Sequence, residues 1–319
     1  MLNIKNNIIV SRKSKLVTSF VYSVFRYAIL ICIGYLILYP VIYMISASVK
    51  PGSAYFDASI IYIPKTVTFE AYNVAVKTLD YFNSLKSTIL YELLSAAIEI
   101  LMCSFIAYGM ARFNFKLKPI LNFILIVNIL VPVQMIVIPM MMNYSKLDFV
   151  GLFGLFNNLT GIDIRPNILD TPLTFYLPSL LGVGLRAGII IYIYIQFFKG
   201  LHKELEEAAW IDGAGLFRTF FSLAVPSSSV VFTTVSIFAL VWHWNDYYLA
   251  TMYLSENVPL AVKIYDIKTL LELQGYYGGG ETTSAKSAAC LMFILPLLLV
   301  YMVLQRKFVQ SIDRVGITG

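Results

Sequence analysis

Charge is what this chain has least of. Asp, Glu, Lys and Arg together make up 13% of its 319 residues, about half the share found in soluble domains. So little ionic surface cannot cover one water-soluble globule of this length. With 59% hydrophobic residues and a mean hydropathy of +0.76, much of the surface requires a bilayer as its solvent. The net charge of +6 does not point to nucleic acid, because the basic residues flank apolar spans, where membrane orientation explains them better.

Cysteine and histidine are equally scarce. Cys32, Cys103 and Cys290 all fall inside apolar runs, an odd and scattered set that is neither a disulfide framework nor a metal site. They read as buried thiols acting as small hydrophobes. The only histidines are His202 and His243, and HExxH and CxxC are both missing, so metal chemistry is not expected. A catalytic Ser–His–acid set is also lacking. "GETTSAKS", Gly280 to Ser287, falls one residue short of a phosphate-binding loop. Ala285 stands where a second glycine must let the backbone approach phosphate, and an apolar span follows instead of a strand preceding. Its glycines read as a flexible outward loop.

What is present is a set of apolar runs of the roughly 20 residues needed to cross hydrocarbon. Six are read: Tyr27–Ala47, Thr88–Ala111, Ile120–Met142, Pro178–Phe198, Val225–Leu249 and Ser287–Leu304. Gly182, Gly184, Arg186 and Gly188 interrupt the fourth, and Pro132 and Pro139 predict a bent or broken third. The first is basic and then apolar, too long for a signal-peptide core, and reads as an uncleaved helix. The division is a segment 1–26, a six-helix domain 27–305 and a tail 306–319.

Lysine and arginine set the orientation. Lys5, Arg12, Lys13, Lys15 and Arg26 precede the first span; Arg112, Lys116 and Lys118 join the second to the third; Arg306, Lys307 and Arg314 lie in the tail. With Lys199, Lys203 and Arg218, these stretches place both termini in the cytoplasm and the connections near 48–86, 143–177 and 250–286 outside.

One stretch breaks the apolar pattern. "KELEEAAWIDGAGLFRTFFSLAVP", Lys203 to Pro226, carries Glu204, Glu206, Glu207 and Asp212. Lys203 to Asp212 is rich in good helix formers, and Gly213 supplies a left-handed stop. A second short helix follows from about Leu216, with Phe217, Phe220 and Phe221 on its apolar face. Interfacial helices beside an anionic leaflet are usually basic, whereas this one is acidic. Its small alanines admit a close backbone, and its acids suit arginines on a partner. A docking knob fits better than a helix lying on lipid.

"EAAWIDGAGLFRTFFSLAVP" resembles the EAA loop of the permease subunits of binding-protein-dependent ABC importers. Glu207, Ala208, Ala209, Gly213 and Pro226 match that pattern, with Asp212 in the "DGA" form of the carbohydrate branch, while Leu223 and Val225 are mild apolar departures. "YPVIYMISASVKP", "WHWNDYYLA" and "LPLLLVYMVLQRKFVQ" are similar to the family's first, fifth and last spans. His202 stands where proline is common, and the glycine-rich tail survives only as "DRVGITG". The chain resembles the maltose-type carbohydrate permeases. That resemblance implies an all-α integral membrane fold of six transmembrane helices with a cytoplasmic coupling helix in the loop 199–226, the type I importer permease. It implies Glu207, Ala208, Ala209, Asp212 and Gly213 as the contact with a cytoplasmic ATPase dimer. The other implied partners are a second homologous permease, an extracellular substrate-binding protein and a sugar. The chain itself would bind no cofactor; ATP and Mg would sit on the ATPase subunits.

Candidate residues for the substrate path are fewer. Trp244, Asn245 and Asp246 lie about 20 residues past Pro226, roughly 30 Å along a helix, near the outer interface or at the mouth of a cavity. Trp242, Tyr247 and Tyr248 read as an aromatic belt. Asn245 and Asp246 fit a belt less well: they contact sugar hydroxyls or the binding protein, or make a structural hydrogen bond. Arg186 must face the bundle, snorkel or pair. Asn128 and Gln134 on the bent third span either line the path or hold helices together. Glu92 and Glu99 are the only features that favour a stand-alone secondary transporter.

Overall fold

The computed structural model describes the backbone of residues 2–56, 64–148 and 151–317, and the side chains of 18–54, 64–148 and 151–305. The basic side chains of the first 15 residues and of the tail lie outside the described residues. Among the described residues there are helices and no strands. They form two compact units, Met1–Val74 with Tyr276–Leu291, and Ala75–Gly275 with Met292–Gly319.

The first unit contains α1 (Leu2–Ser48), the start of α2 (Glu70–Leu79) and the opening turns of α15 (Gly279–Ile317). Where α1 ends, Ser48 Oγ shares a hydrogen bond with Tyr72 Oη at 2.9 Å, and Ser284 Oγ donates to the Lys50 carbonyl at 3.1 Å. A Cβ on Gly52 would meet Glu281 Cγ at 2.2 Å, so only glycine admits this approach. "GETTSAKS" therefore lies in the first turns of α15, not in a flexible loop. Cys32 is exposed on α1, whose apolar face carries Leu36 and Ile37 outward, while Cys103 is buried as expected.

The second unit is built around α3, a continuous helix Tyr81–Arg112 with a π turn at Thr88–Leu93. Next come α4 (Lys118–Leu130) and α5 (Val133–Ser145), then α6 (Leu152–Thr160), α7 (Leu173–Leu180) and α8 (Ala187–Lys199). After them run α9 (Lys203–Ile211), α10 (Leu216–Ser227) and α11 (Ser229–Trp244). Short helices α12 (Tyr248–Tyr253), α13 (Leu260–Tyr265) and α14 (Ile267–Leu273) lead to α15. Ala96, Cys103 and Ala107 repeat at helical spacing on α3 and are fully buried. That stripe of small side chains lets α8 pack close with Ile190, Ile191, Tyr194 and Phe198.

The membrane segments follow the sequence with three corrections. Thr18–Ser48, Tyr81–Arg112 and Gly279–Gln305 are long and apolar enough to cross, and each exceeds its sequence estimate. The third span is broken as expected: Pro132, which offers no N–H, turns α4 into α5 by 103°. The fourth is not one helix. Gly182 at φ +70° and Arg186 at φ +59° separate α7 from α8, and 13 residues of α8 reach only about 20 Å of a roughly 30 Å core. The fifth bends by 82° at Ser228, whose hydroxyl donates to the Ala224 carbonyl, and it stops at Trp244 instead of Leu249. Asn245 Nδ2 caps its last turn through the Val241 carbonyl, at 2.8 Å.

Candidate functional site

Two surfaces of the second unit carry polar chemistry. The first is the acidic elbow. Helix α9 starts after an extended His202 and has Glu204 and Glu206 in its first turn, where carboxylates meet the positive helix end. Gly213 adopts φ +80° and its N–H donates to Trp210 O, while Ala214 N donates to Ala209 O. This pair of bonds is the Schellman arrangement, which needs a left-handed residue at Gly213. Glu207, Ala208, Asp212 and Gly213 are exposed and Ala209 is half-buried. Beside them stand Leu205, Ile211 at 86% exposure and Phe217 at 74%, an apolar and acidic patch on a turn too short and polar to cross a bilayer.

Glu206 behaves differently from its neighbours, and sequence reasoning missed this. Its carboxylate turns inward, accepting from Arg112 Nε at 2.8 Å and from Tyr108 Oη at 3.1 Å. Both side chains of the ion pair are almost wholly buried. The aromatic face of α10 sits alongside: Phe105 stacks on Phe220 at 4.3 Å and meets Phe221 edge-on at 5.3 Å. Phe220 alone of the three phenylalanines is buried; Phe217 and Phe221 are exposed.

The second surface is a cavity of about 560 Å³. Asn128, Gln134, Arg186, Asn245 and Asp246 line it, so five of the six candidates for the path come together. Trp244 does not: its ring is buried and Nε1 donates to the Phe293 carbonyl at 3.1 Å. The aromatic belt is also corrected, because Trp242, Tyr247 and Tyr248 line the cavity. Arg186 does not simply snorkel; its guanidinium carbon lies 4.9 Å from the centre of the Trp242 ring, a cation–π contact. A non-glycine residue at φ +59° is strained, and such strain gathers at functional sites. Asn128 also packs on the α8 backbone, where a Cβ on Gly188 would meet its Oδ1 at 2.4 Å. Asp246 is buried, accepts from Leu249 N–H at 3.1 Å and keeps Oδ2 without a partner among the described residues.

His243, also on the cavity wall, was passed over in the sequence. Its Nε2 lies 2.7 Å from Glu99 Oε2 and its Nδ1 lies 3.2 Å from Glu92 Oε2. All three are sealed from solvent. The two acids thus have an internal partner instead of standing open to an ion path. The available signal was the seven-residue spacing of Glu92 and Glu99, two helical turns on one face.

A helical membrane chain with an exposed polar elbow on one loop and a cavity between its helices has the parts of a transport subunit. Residues 100–314 match the family described as binding-protein-dependent transport system inner membrane component, and the chain belongs to it. One relative is the probable starch degradation products transport system permease protein AmyC of Thermoanaerobacterium thermosulfurigenes, 24% identical over 78% of this chain and 81% of its own length. The trehalose transport system permease protein SugB of Mycobacterium tuberculosis is 25% identical over 90% and 94%. The fold also matches a chain in the crystal structure of a bacterial ABC transporter involved in the import of the acidic polysaccharide alginate. That match has a TM-score of 0.68 at 20% identity and covers 90% of this chain and 96% of the other.

Proposed function

We propose that this chain is one permease half of an ATP-driven importer for a carbohydrate of oligosaccharide size. Glu207, Ala208, Ala209, Asp212 and Gly213 dock on a cytoplasmic ATPase dimer, which holds the ATP and Mg that this chain does not bind. A second permease completes the passage, and an extracellular binding protein delivers the sugar. The relatives support the cargo class: they are named for starch degradation products, trehalose, galactooligosaccharides and melibiose, raffinose and stachyose. A solved neighbour was captured with an alginate pentasaccharide-bound periplasmic protein.

The orientation belongs to the same reading. Segment 1–26, the elbow and the tail 306–319 face the cytoplasm around the transmembrane part 27–305. Arg186, Asn128, Gln134, Asn245 and Asp246 face the sugar path; Trp244 keeps a packing role.

The observation that carries the docking role is the split among neighbouring acids. Glu206 is consumed internally, while Glu207 and Asp212 stay free in solvent beside exposed Ile211 and Phe217. A face that is both apolar and acidic, held in shape by a glycine turn, fits a basic cleft. Glu207→Lys should cut ATPase copurification and uptake by about ten-fold or more, as loss of an interface hot spot does, while membrane insertion is unchanged. Normal copurification, or uptake by this chain without ATPase partners, would sink the reading.

A further inference from the structure

The docking elbow and the cavity wall are fastened to the same helix. At its inner end, α3 holds α9 through Arg112 and Tyr108 on Glu206. Roughly 20 to 30 Å away along the axis, Glu92 and Glu99 of the same helix hold His243 of α11, on the cavity wall. Between the two clusters the small-residue stripe of α3 packs on α8. Both clusters join polar side chains across helices, and both are buried.

The backbone alone would not carry motion from α9. It is joined to α8 through Gly200 and to α10 through Gly213 and Gly215, so both covalent junctions are glycine joints. The Glu206 contact is what keeps α9 from swivelling on them. At the other cluster, carboxylate oxygens occupy both ring nitrogens of His243, so neither nitrogen is left for cargo. His243 is thus a positioning residue, setting the place of Trp242, Asn245 and Asp246.

We propose that α3 is the transmission element of the chain: the Arg112–Glu206 pair fixes the docking helix to one end, and the Glu92–His243–Glu99 clamp fixes the cavity wall to its other half. A displacement of α9 then reaches the cavity without slack, because packed interiors switch between discrete arrangements instead of deforming. The proposal rests on the docking role above.

The test uses the whole transporter with its second permease, ATPase subunits and binding protein in proteoliposomes. Spin labels go at exposed Lys203 on α9, Leu101 on α3 and Phe238 on α11, after replacement of Cys32, Cys103 and Cys290. The Lys203–Leu101 and Leu101–Phe238 distances should agree between nucleotide-free and ATP-bound states within about 2 Å, the size of a helix shift at a packed interface. A change of either distance by a full helical turn, about 5.4 Å, overturns the proposal.

Coupling gives a second readout. Arg112→Gln combined with Glu206→Gln, which strands no charge, should leave the ATPase bound and hydrolysing, yet lower sugar taken up per ATP by about ten-fold, the range of allosteric coupling energies. Combining Arg112→Glu with Glu206→Arg should restore at least part of it. The Glu92→Gln, Glu99→Gln, His243→Gln triple variant, which strands no charge, should uncouple in the same way. A normal uptake-to-ATP ratio in the Arg112→Gln, Glu206→Gln double variant and in the triple variant overturns the inference. Failure of the unaltered chain to retain an ATPase would instead overturn the docking role beneath it.

Discussion

The acids of α9 and those of α3 live under opposite rules. Glu207, on a helix of nine residues, and Asp212, which caps its end, stand in solvent, where a charge costs the fold little. Glu92 and Glu99 stand inside the bundle, and each needs His243 to be there. Exposed acids are free to meet a partner; buried acids are already committed to one. Glu206, adjacent to Glu207 in sequence, belongs with the buried set, since its pairing with Arg112 is as closed as that of Glu99 with His243. One helical step therefore separates an acid that serves recognition from one that serves architecture.

Removing His243 should produce the largest effect. His243→Leu leaves the two carboxyl groups sealed without their shared partner, and breaking a buried pair from one side costs about 3–5 kcal/mol. Thermal unfolding in micelles should show a sharply less stable chain, whereas Glu207→Gln should leave the midpoint unmoved. Changing Glu92, Glu99 and His243 together to Gln should recover most of the loss, because stranded charge is the main cost. An equal loss in the triple variant would mean that shape, not charge, holds this region.

Gly213→Ala tests the elbow's side of the comparison at a smaller scale. No atom crowds a Cβ there, so only the backbone at φ +80° resists the change. The strain of a left-handed non-glycine residue is about 1 kcal/mol. Unfolding of the bundle should hardly change, while ATPase copurification weakens because the turn relaxes. A drop in bundle stability as large as that of His243→Leu would show that the elbow is not the separable part it looks.

The two regions also differ in how much of them can be read from sequence. The elbow is contiguous: Lys203 to Ala214 spells a helix and its glycine stop, and both are legible because each is a local preference, whereas the inward turn of Glu206 depends on Arg112 and Tyr108, about 100 positions away. The break at Pro132 was legible for the same reason. The His243 clamp was not, since its partners are 144 and 151 positions away and only packing brings them together. Trp242 and Trp244, two residues apart on α11, point to opposite sides of the helix, so one ring faces the cavity and the other is buried under α15. Hydropathy saw the six apolar runs, and Gly182 and Arg186 marked an interruption of the fourth, but did not show that it divides into two helices with left-handed residues between them.

Asp170 offers the smallest effect and lies between the two kinds of acid. It is near the surface, yet its carboxylate accepts from the Ser255 N–H and hydroxyl and from the Glu256 N–H, joining the loop before α7 to the loop after α12. These bonds favour the ionised form and hold the carboxyl below the usual Asp range, the Ser255 backbone N–H first among them. A depressed folded value means the clamp is present at neutral pH and is lost only as pH falls below about 4. Asp170→Asn keeps an acceptor but no charge, so amide exchange at Ser255 and Glu256 should quicken by about five-fold, within the range for one exposed charged hydrogen bond. With the intrinsic slowing of exchange in acid divided out, wild-type protection should fall to the variant's level only under acid. If protection is instead independent of both pH and substitution, the loop is held by Tyr253 and its aromatic neighbours Tyr144 and Phe175, and Asp170 sides with the free acids of α9.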